Sequence, residues 1–248
     1  MRFLLHLAYN GTRFSGWQKQ PNALGVQEAI ESALSKLYNQ PIQIVGCGRT
    51  DAGVHATRYF AHFDAGQAIA HLAYKLNRIL SKDIFIRSVQ EVADDFHARF
   101  DAQSRSYVYR IKGEKDPFRN EWITILPKFD DLDIDKMQAA ARLLLNYQDF
   151  FTFCKTGADN QTTICHLTRS EWIFLPENRS LEYHISANRF LRGMVRLIVG
   201  MCLNVGLGKI AIKDVENALE HQTRLSKSLS APANGLALSD VVYLGSGE

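Results

Sequence analysis

Gly46-Cys47-Gly48-Arg49-Thr50-Asp51-Ala52-Gly53-Val54-His55-Ala56 is a glycine-rich loop between two short apolar runs, and the elements on either side of it decide the fold. Ahead of it, residues 2–9 read as a strand ended by the turn pair Asn10-Gly11. Residues 26–38 read as a helix, with Val26, Ile30, Ala33, Leu34 and Leu37 on one stripe and Pro41 just beyond its end. Residues 42–47 form a short strand running into the loop. Behind the loop come a strand at 58–63, a helix at 67–80 with Leu72, Leu76, Ile79 and Leu80 on its apolar face, and a strand at 84–92. The order β-α-β-β-α-β is the split βαβ, or ferredoxin-like, unit.

Further along, the order recurs. Residues 104–112 alternate as a strand, and Asp133 can cap a helix running to Leu145. Residues 164–175 and 181–187 read as two strands joined by a turn at 176–179. A long helix is expected from about 189 to 205, a short one at 212–221, and a last strand at 237–244. The expected fold class is α+β: two pseudo-equivalent ferredoxin-like halves with antiparallel or mixed sheets flanking a central cleft. The expected domains are 1–102, carrying the glycine-rich loop, and 103–248, completing the cleft. Element order alone carries the repeat, since no residue-level repeat accompanies it. A cleft between two halves is a usual place for a ligand.

The chain has 248 residues, 46% of them hydrophobic and 22% charged. A chain of this length buries roughly 70–75% of its unfolded surface, so it needs neither disulfides nor a metal to hold a core. The formal net charge of +3 is mildly basic and by itself neither requires nor excludes a nucleic-acid partner. Cys47, Cys154, Cys165 and Cys202 include no C-x-x-C pair, which argues against a zinc ribbon or thioredoxin motif, so buried free thiols and no metal site are expected. The opening residues turn polar too soon for a signal peptide. The longest apolar stretch, 197–207, is broken by Gly200, Asn204 and Gly206 and falls short of the roughly 20 residues of a membrane span. A soluble, cytoplasmic protein with no membrane partner is expected.

The loop itself puts one cation, one carboxylate and one imidazole among three glycines, which permit positive φ and close approach of another backbone or a ligand. Two readings stand side by side: a tight loop in which Asp51 bonds nearby amides, or a chemical site. It is not a P-loop, because no Gly-Lys-Ser/Thr ends it, nor an EF-hand, because the oxygen ligands are missing. On the late helix, Arg189, Arg192, Gly193, Arg196 and Gly200 would share one stripe opposite Leu191, Met194, Val195, Ile198, Met201, Cys202 and Val205. That stripe reads either as a solvated basic face or, given its glycines, as a face that something approaches. Tyr107 and Tyr109 point the same way along their strand, and Tyr109 is read as core.

Gly48-Arg49-Thr50-Asp51-Ala52-Gly53-Val54-His55-Ala56 resembles the signature of the TruA family of tRNA pseudouridine synthases. The resemblance extends in order through residues 9–20, Phe96-His97-Ala98-Arg99-Phe100, Arg105-Ser106-Tyr107-Val108-Tyr109, residues 149–153, residues 190–196, and Ala231-Pro232-Ala233 with residues 235–238. Gly193 departs from the family's pattern, where a bulkier, often polar residue is expected. The resemblance implies isomerisation of uridine to pseudouridine at positions 38, 39 and 40 of the tRNA anticodon stem-loop. It implies a homodimer, no cofactor and no obligatory metal. It makes Asp51 the catalytic carboxylate, Tyr107 the residue stacking on the uracil, and Arg196 a cationic partner for Asp51. It places Arg49 where it can fill or brace the position a flipped base vacates, and Leu236 or Leu238 under the base. Arg189, Arg192, Arg13, Lys19, Arg58, Arg99 and Arg105 become candidate phosphate contacts. His55 and His97 are read as structural hydrogen-bonders. A non-catalytic RRM-like RNA-binding protein is the main competing reading, but no segment matches the RNP1 pattern. A synthase paralogue with another tRNA target position also remains open.

Overall fold

Strand β1, Arg2–Tyr9, buries Phe3, Leu5, Leu7 and Tyr9 and leaves the alternate residues half-exposed, the period-2 signature of a sheet with one covered face. The structure is a computed structural model that describes residues 1–155 and 161–244. β1 lies between β3, His55–Asp64, and β4, Ile84–Val92, antiparallel to both. The far edge of β3 is shared. β2, Ile44–Gly46, runs antiparallel along its residues 61–63, and β9, Leu236–Tyr243, runs parallel at His55 and Ala56. β1 and β2 are thus parallel with β3 between them, and β3 and β4 are parallel with β1 between them, so each helical crossover spans one intervening strand. Helices α1, Val26–Tyr38, and α2, Leu72–Ile79, make those crossovers and contribute Val26, Ile30, Ala33, Leu34, Leu72 and Leu76 to the core. Each of these Val, Ile and Leu side chains is worth about 1.5–3 kcal/mol of burial. α1 stops at Asn39, which takes the left-handed conformation (φ 53°) and returns its N–H to Ser35. α2 begins at Leu72, later than the expected 67. His71 is left-handed (φ 58°), which ends the helix there although Ile69 would continue its apolar stripe.

In the second part of the chain, β8, Ser180–Ala187, lies between β5, Ala102–Lys112, and β7, Leu167–Leu175, antiparallel to both. β5 and β7 are therefore parallel, joined by helix α3, Ile134–Leu143, whose Asp133 caps it by accepting the Lys136 N–H at 3.0 Å. A two-residue strand that the sequence reading missed, β6 at Thr124–Ile125, runs parallel along the end of β5. Helices α4, Met194–Gly206, and α5, Ile212–Glu220, complete this part.

Two compact units result, residues 1–103 together with the chain from Ala237 onward, and residues 104–236. The last strand, expected in the second half, belongs with the first unit. Its Tyr243 hydroxyl donates to the Ala98 carbonyl at 2.7 Å in a buried contact, and its Asp240 pairs with Arg58 at 3.1 Å.

α4 also departs from expectation. It begins at Met194, not near 189, because Gly193 takes a positive φ of 72° that turns the chain into the helix. This conformation explains a glycine where a bulkier residue was expected. Arg189 and Arg192 thus lie before the helix and share no stripe with Arg196. Every α4 residue except Arg196 and Leu197 is buried, so no solvated basic face exists. What approaches the small-residue side is the chain's own segment 227–231. Asn204 donates its side-chain N–H to the Lys227 carbonyl at 2.8 Å. Gly200 abuts Leu229. Arg196 accepts from the Ala231 N–H at 3.0 Å and donates Nε–H to its carbonyl at 2.7 Å. The three helical positions involved, Arg196, Gly200 and Asn204, are each four residues apart and so lie on one side of α4. A Cβ on Gly200 would stand 1.8 Å from the Leu229 carbonyl oxygen. Gly200→Ala is therefore expected to cost about 1–3 kcal/mol by overpacking, lowering the melting temperature by several degrees. A thermal melt superimposing on that of the wild type would contradict the packing described.

Candidate active site

Residues 47–54 have no helix or strand of their own between β2 and β3. Asp51 opens a four-residue turn closed by the Val54 N–H on the Asp51 carbonyl at 3.1 Å, and Gly53, with φ 77°, sits where a type II turn demands a positive φ. The Asp51 side chain is half-buried.

Much of the loop's support comes from the end of β1 and the stretch that follows it. The Tyr9 hydroxyl lies 2.8 Å from the Thr50 hydroxyl in a buried pair. The Trp17 N–H donates to the Thr50 carbonyl at 3.2 Å, and the Gly53 N–H to the Phe14 carbonyl at 3.3 Å. The Gly11 N–H donates to His55 Nδ1 at 3.0 Å. Two backbones touch here. Gly16, at φ 90°, leaves only 2.4 Å between a built Cβ and the Thr50 oxygen, so glycine is required by both conformation and space.

Three buried aromatics brace the arrangement. Trp17 stacks on Tyr59 with centroids 4.1 Å apart, Tyr9 meets Tyr59 edge-on at 5.5 Å, and the Tyr59 hydroxyl donates to the Gly48 carbonyl. Such ring pairs are worth about 0.5–1.5 kcal/mol each beyond their burial. Local register serves the same end. Leu7 pairs with Tyr59 but Tyr9 with Ala56, so β3 carries one extra residue, a bulge of the kind that re-aims side chains beside functional sites.

His55 is fully buried, and because Nδ1 accepts a hydrogen bond its ring proton is on Nε2, in keeping with a structural role. His97 likewise accepts from the Arg99 and Phe100 amides at 3.2 Å. Arg49 is exposed two residues before Asp51. Leu238 pairs with Ala56 at the loop's end and is buried, as is Leu236. Of the candidate phosphate-binding cations in this unit, three face carboxylates: Arg13 with Asp83 at 2.8 Å, Lys19 with Glu31 at 4.0 Å, and Arg58 with Asp240 at 3.1 Å. Arg99 is exposed with its guanidinium 5.7 Å from the Phe100 ring centre.

In the second unit, Tyr107 is half-buried on β5, its ring edge-on to Phe190 at 5.2 Å. Tyr109 is core, as expected. Its hydroxyl is shared by Thr124 at 2.7 Å and the Pro232 carbonyl at 2.9 Å, and burial pushes its pKa up to about 12. Arg196 is half-buried and held at Ala231. Arg189 is half-buried, Arg192 exposed, and Arg105 donates to the Asn188 carbonyl at 2.9 Å. All four cysteines are buried and free of disulfides. Among the described residues, no group of three His, Cys, Asp or Glu side chains is arranged to hold a metal, and no helix is long and apolar enough to cross a membrane.

Sequence reasoning assigned no role to Tyr9, Gly16, Trp17, Thr50 or Tyr59. The aromatic and glycine content of residues 9–17, a segment too irregular for a strand or helix, was the available signal.

Residues 7–101 and 140–244 match the family described as tRNA pseudouridine synthase. A tRNA pseudouridine synthase A from Porphyromonas gingivalis is 45% identical over 246 residues, covering 98% of this chain and 97% of that protein. Proteins of the same name from Parabacteroides distasonis and Bacteroides thetaiotaomicron are 44% and 42% identical, each over 98% of this chain and over 96% and 90% of their own lengths.

Gly16→Ala forces a methyl onto the Thr50 carbonyl at a left-handed position, so a urea melt is expected to lose about 1–3 kcal/mol. An unchanged midpoint would contradict the close approach of the two backbones.

Proposed function

The chain belongs to the tRNA pseudouridine synthase family, and from that premise we propose that Asp51 is the carboxylate that turns over a uridine of the anticodon stem-loop, at position 38, 39 or 40. The family's reaction is an isomerisation. The N1–C1′ bond breaks, the uracil turns, C5 bonds to C1′ and gives up its proton, and N1 gains one. Nothing is oxidised, and no group comes from outside. A carboxylate can serve by adding to C6, by adding to C1′, or by taking the C2′ proton.

The observation that carries the assignment is the state of the side chains around the turn. Thr50 is buried with its hydroxyl on Tyr9, His55 is buried with its Nδ1 on Gly11, and Asp51 is the half-buried acid at the head of a turn fixed from outside. A stem uridine must be flipped out first, at a cost of a few kcal/mol. Tyr107 is proposed to stack on the uracil, a contact worth about 1–3 kcal/mol. Arg49 is proposed to brace the vacated position, and Arg196, Leu236 and Leu238 to contact the target nucleotide. Arg189, Arg192, Arg99 and Arg105, with Arg13, Lys19 and Arg58, are assigned to phosphates, a sequence-independent source of affinity. The two units are proposed to be pseudo-equivalent ferredoxin-like halves, supported by the matching positions of β3 between β1 and β2 and of β8 between β5 and β7. A cytoplasmic homodimer completes the proposal, resting on the resemblance.

Incubation with unmodified tRNA, carbodiimide treatment and primer extension test the reading. Stops one nucleotide 3′ of positions 38–40 are expected with the wild-type protein. Asp51→Asn is expected to give none while tRNA affinity stays within a few-fold. Turnover by Asp51→Asn near the wild-type rate would remove Asp51 from its role, and stops elsewhere in the tRNA would reassign the target.

A further inference from the structure

We propose that Tyr9 is a positioning residue for Asp51, acting through Thr50; the inference rests on the reading of Asp51 as the catalytic carboxylate. Tyr9 is almost wholly buried at the end of β1, and its ring is confined by Tyr59 edge-on at 5.5 Å and by Trp17 at 6.2 Å. A ring so confined gives its hydroxyl one direction, and along it the Thr50 hydroxyl stands 2.8 Å away. Thr50 is itself buried, and its carbonyl is taken by the Trp17 N–H at 3.2 Å. Side chain and carbonyl of Thr50 are therefore both anchored, to Tyr9 and to Trp17.

The consequence falls on the next residue. The plane of the Thr50–Asp51 peptide is set by that carbonyl, and the direction in which Asp51 leaves the backbone follows from the plane. Beyond Asp51 the chain is tied again, by the Asp51–Val54 turn and by His55 on Gly11. With the Tyr9 hydroxyl removed, Thr50 keeps its backbone bond but is free to change rotamer and let the peptide tilt. A tilt shifts the carboxylate against a bound uridine without removing any phosphate contact. Misplacement by 1 Å can cost about 100-fold in rate, and loss of one of two anchors gives part of that, about tenfold.

The test is steady-state kinetics on tRNA at a temperature well below the melting transition, with circular dichroism melts alongside. Tyr9→Phe and Thr50→Val are each expected to lower kcat about tenfold and to leave KM within about twofold, since ground-state binding does not pass through this contact. The double variant is expected to be no slower than either single one, because both remove the same bond. Thr50→Ser restores the hydroxyl and is expected to recover most of the rate. A contact that only stabilises the fold would lower the melting temperature and leave kcat alone. Wild-type kcat in Tyr9→Phe, or multiplied losses in the double variant, would overturn the proposal. Should Tyr9→Phe fail to fold, Thr50→Val against Thr50→Ser decides by the same criterion. Asp51→Asn runs in parallel. If it is inactive while Tyr9→Phe matches the wild type, only the positioning role fails. If Asp51→Asn turns over, the reading beneath it fails and the inference with it.

Discussion

The pressing of residues 9–17 against residues 50–55 is the contact on which the site depends. A loop of eight residues, 47–54, with two glycines has much backbone freedom to lose, on the order of 1–2 kcal/mol per residue ordered. One internal turn cannot offset that. The Thr50 carbonyl, the Thr50 hydroxyl, the Gly53 amide and His55 Nδ1 all find their partners on the segment leaving β1. That segment is in turn fixed by the sheet, because β1 pairs along its length with both β3 and β4. The position of one carboxylate is thereby inherited from the register of a central strand, and the bulge opposite Tyr9 is where the register is adjusted to do it.

The second unit solves a similar problem with a helix. α4 is almost entirely buried, and its one half-exposed charged residue, Arg196, is bound to a backbone carbonyl. Segment 227–231, which has no helix or strand, is held along α4 by its contacts with Asn204, Gly200 and Arg196. Glycine at position 200 is what permits the contact. In both units an irregular stretch is held by a regular element through glycine-mediated approach and side-chain bonds to backbone.

Much of this was legible in the sequence, for identifiable reasons. β1, α1 and β4 carry their periodicity over eight or more residues and lie where expected. Asp133 announces α3, and Tyr109 behaves as core. The short helix α2 and the start of α4 were misread because helical spacing continues on paper through His71 and Gly193, whose left-handed conformations end it in three dimensions. Once α4 starts at Met194, a stripe uniting Arg189, Arg192 and Arg196 dissolves. The glycine-rich loop was visible as unusual, and its resemblance to a known signature named Asp51. The cradle was not visible, because Tyr9, Trp17 and Tyr59 are dispersed in sequence and gain their meaning only from pairing. The two-residue β6 is too short to have any period at all. The last strand's place in the first unit rests on the contacts of Tyr243 and Asp240, which no local pattern encodes.

The central claim is that a carboxylate works here because of where the backbone holds it. Asp51→Glu keeps the charge and the chemistry and moves the acid outward by one methylene on the same turn. Its single-turnover rate of pseudouridine formation on tRNA, measured with enzyme in excess, is expected to fall by about 100-fold or more. A rate within a few-fold of the wild type would contradict the claim, since a carboxylate displaced by that distance would then serve as well as the one the loop holds.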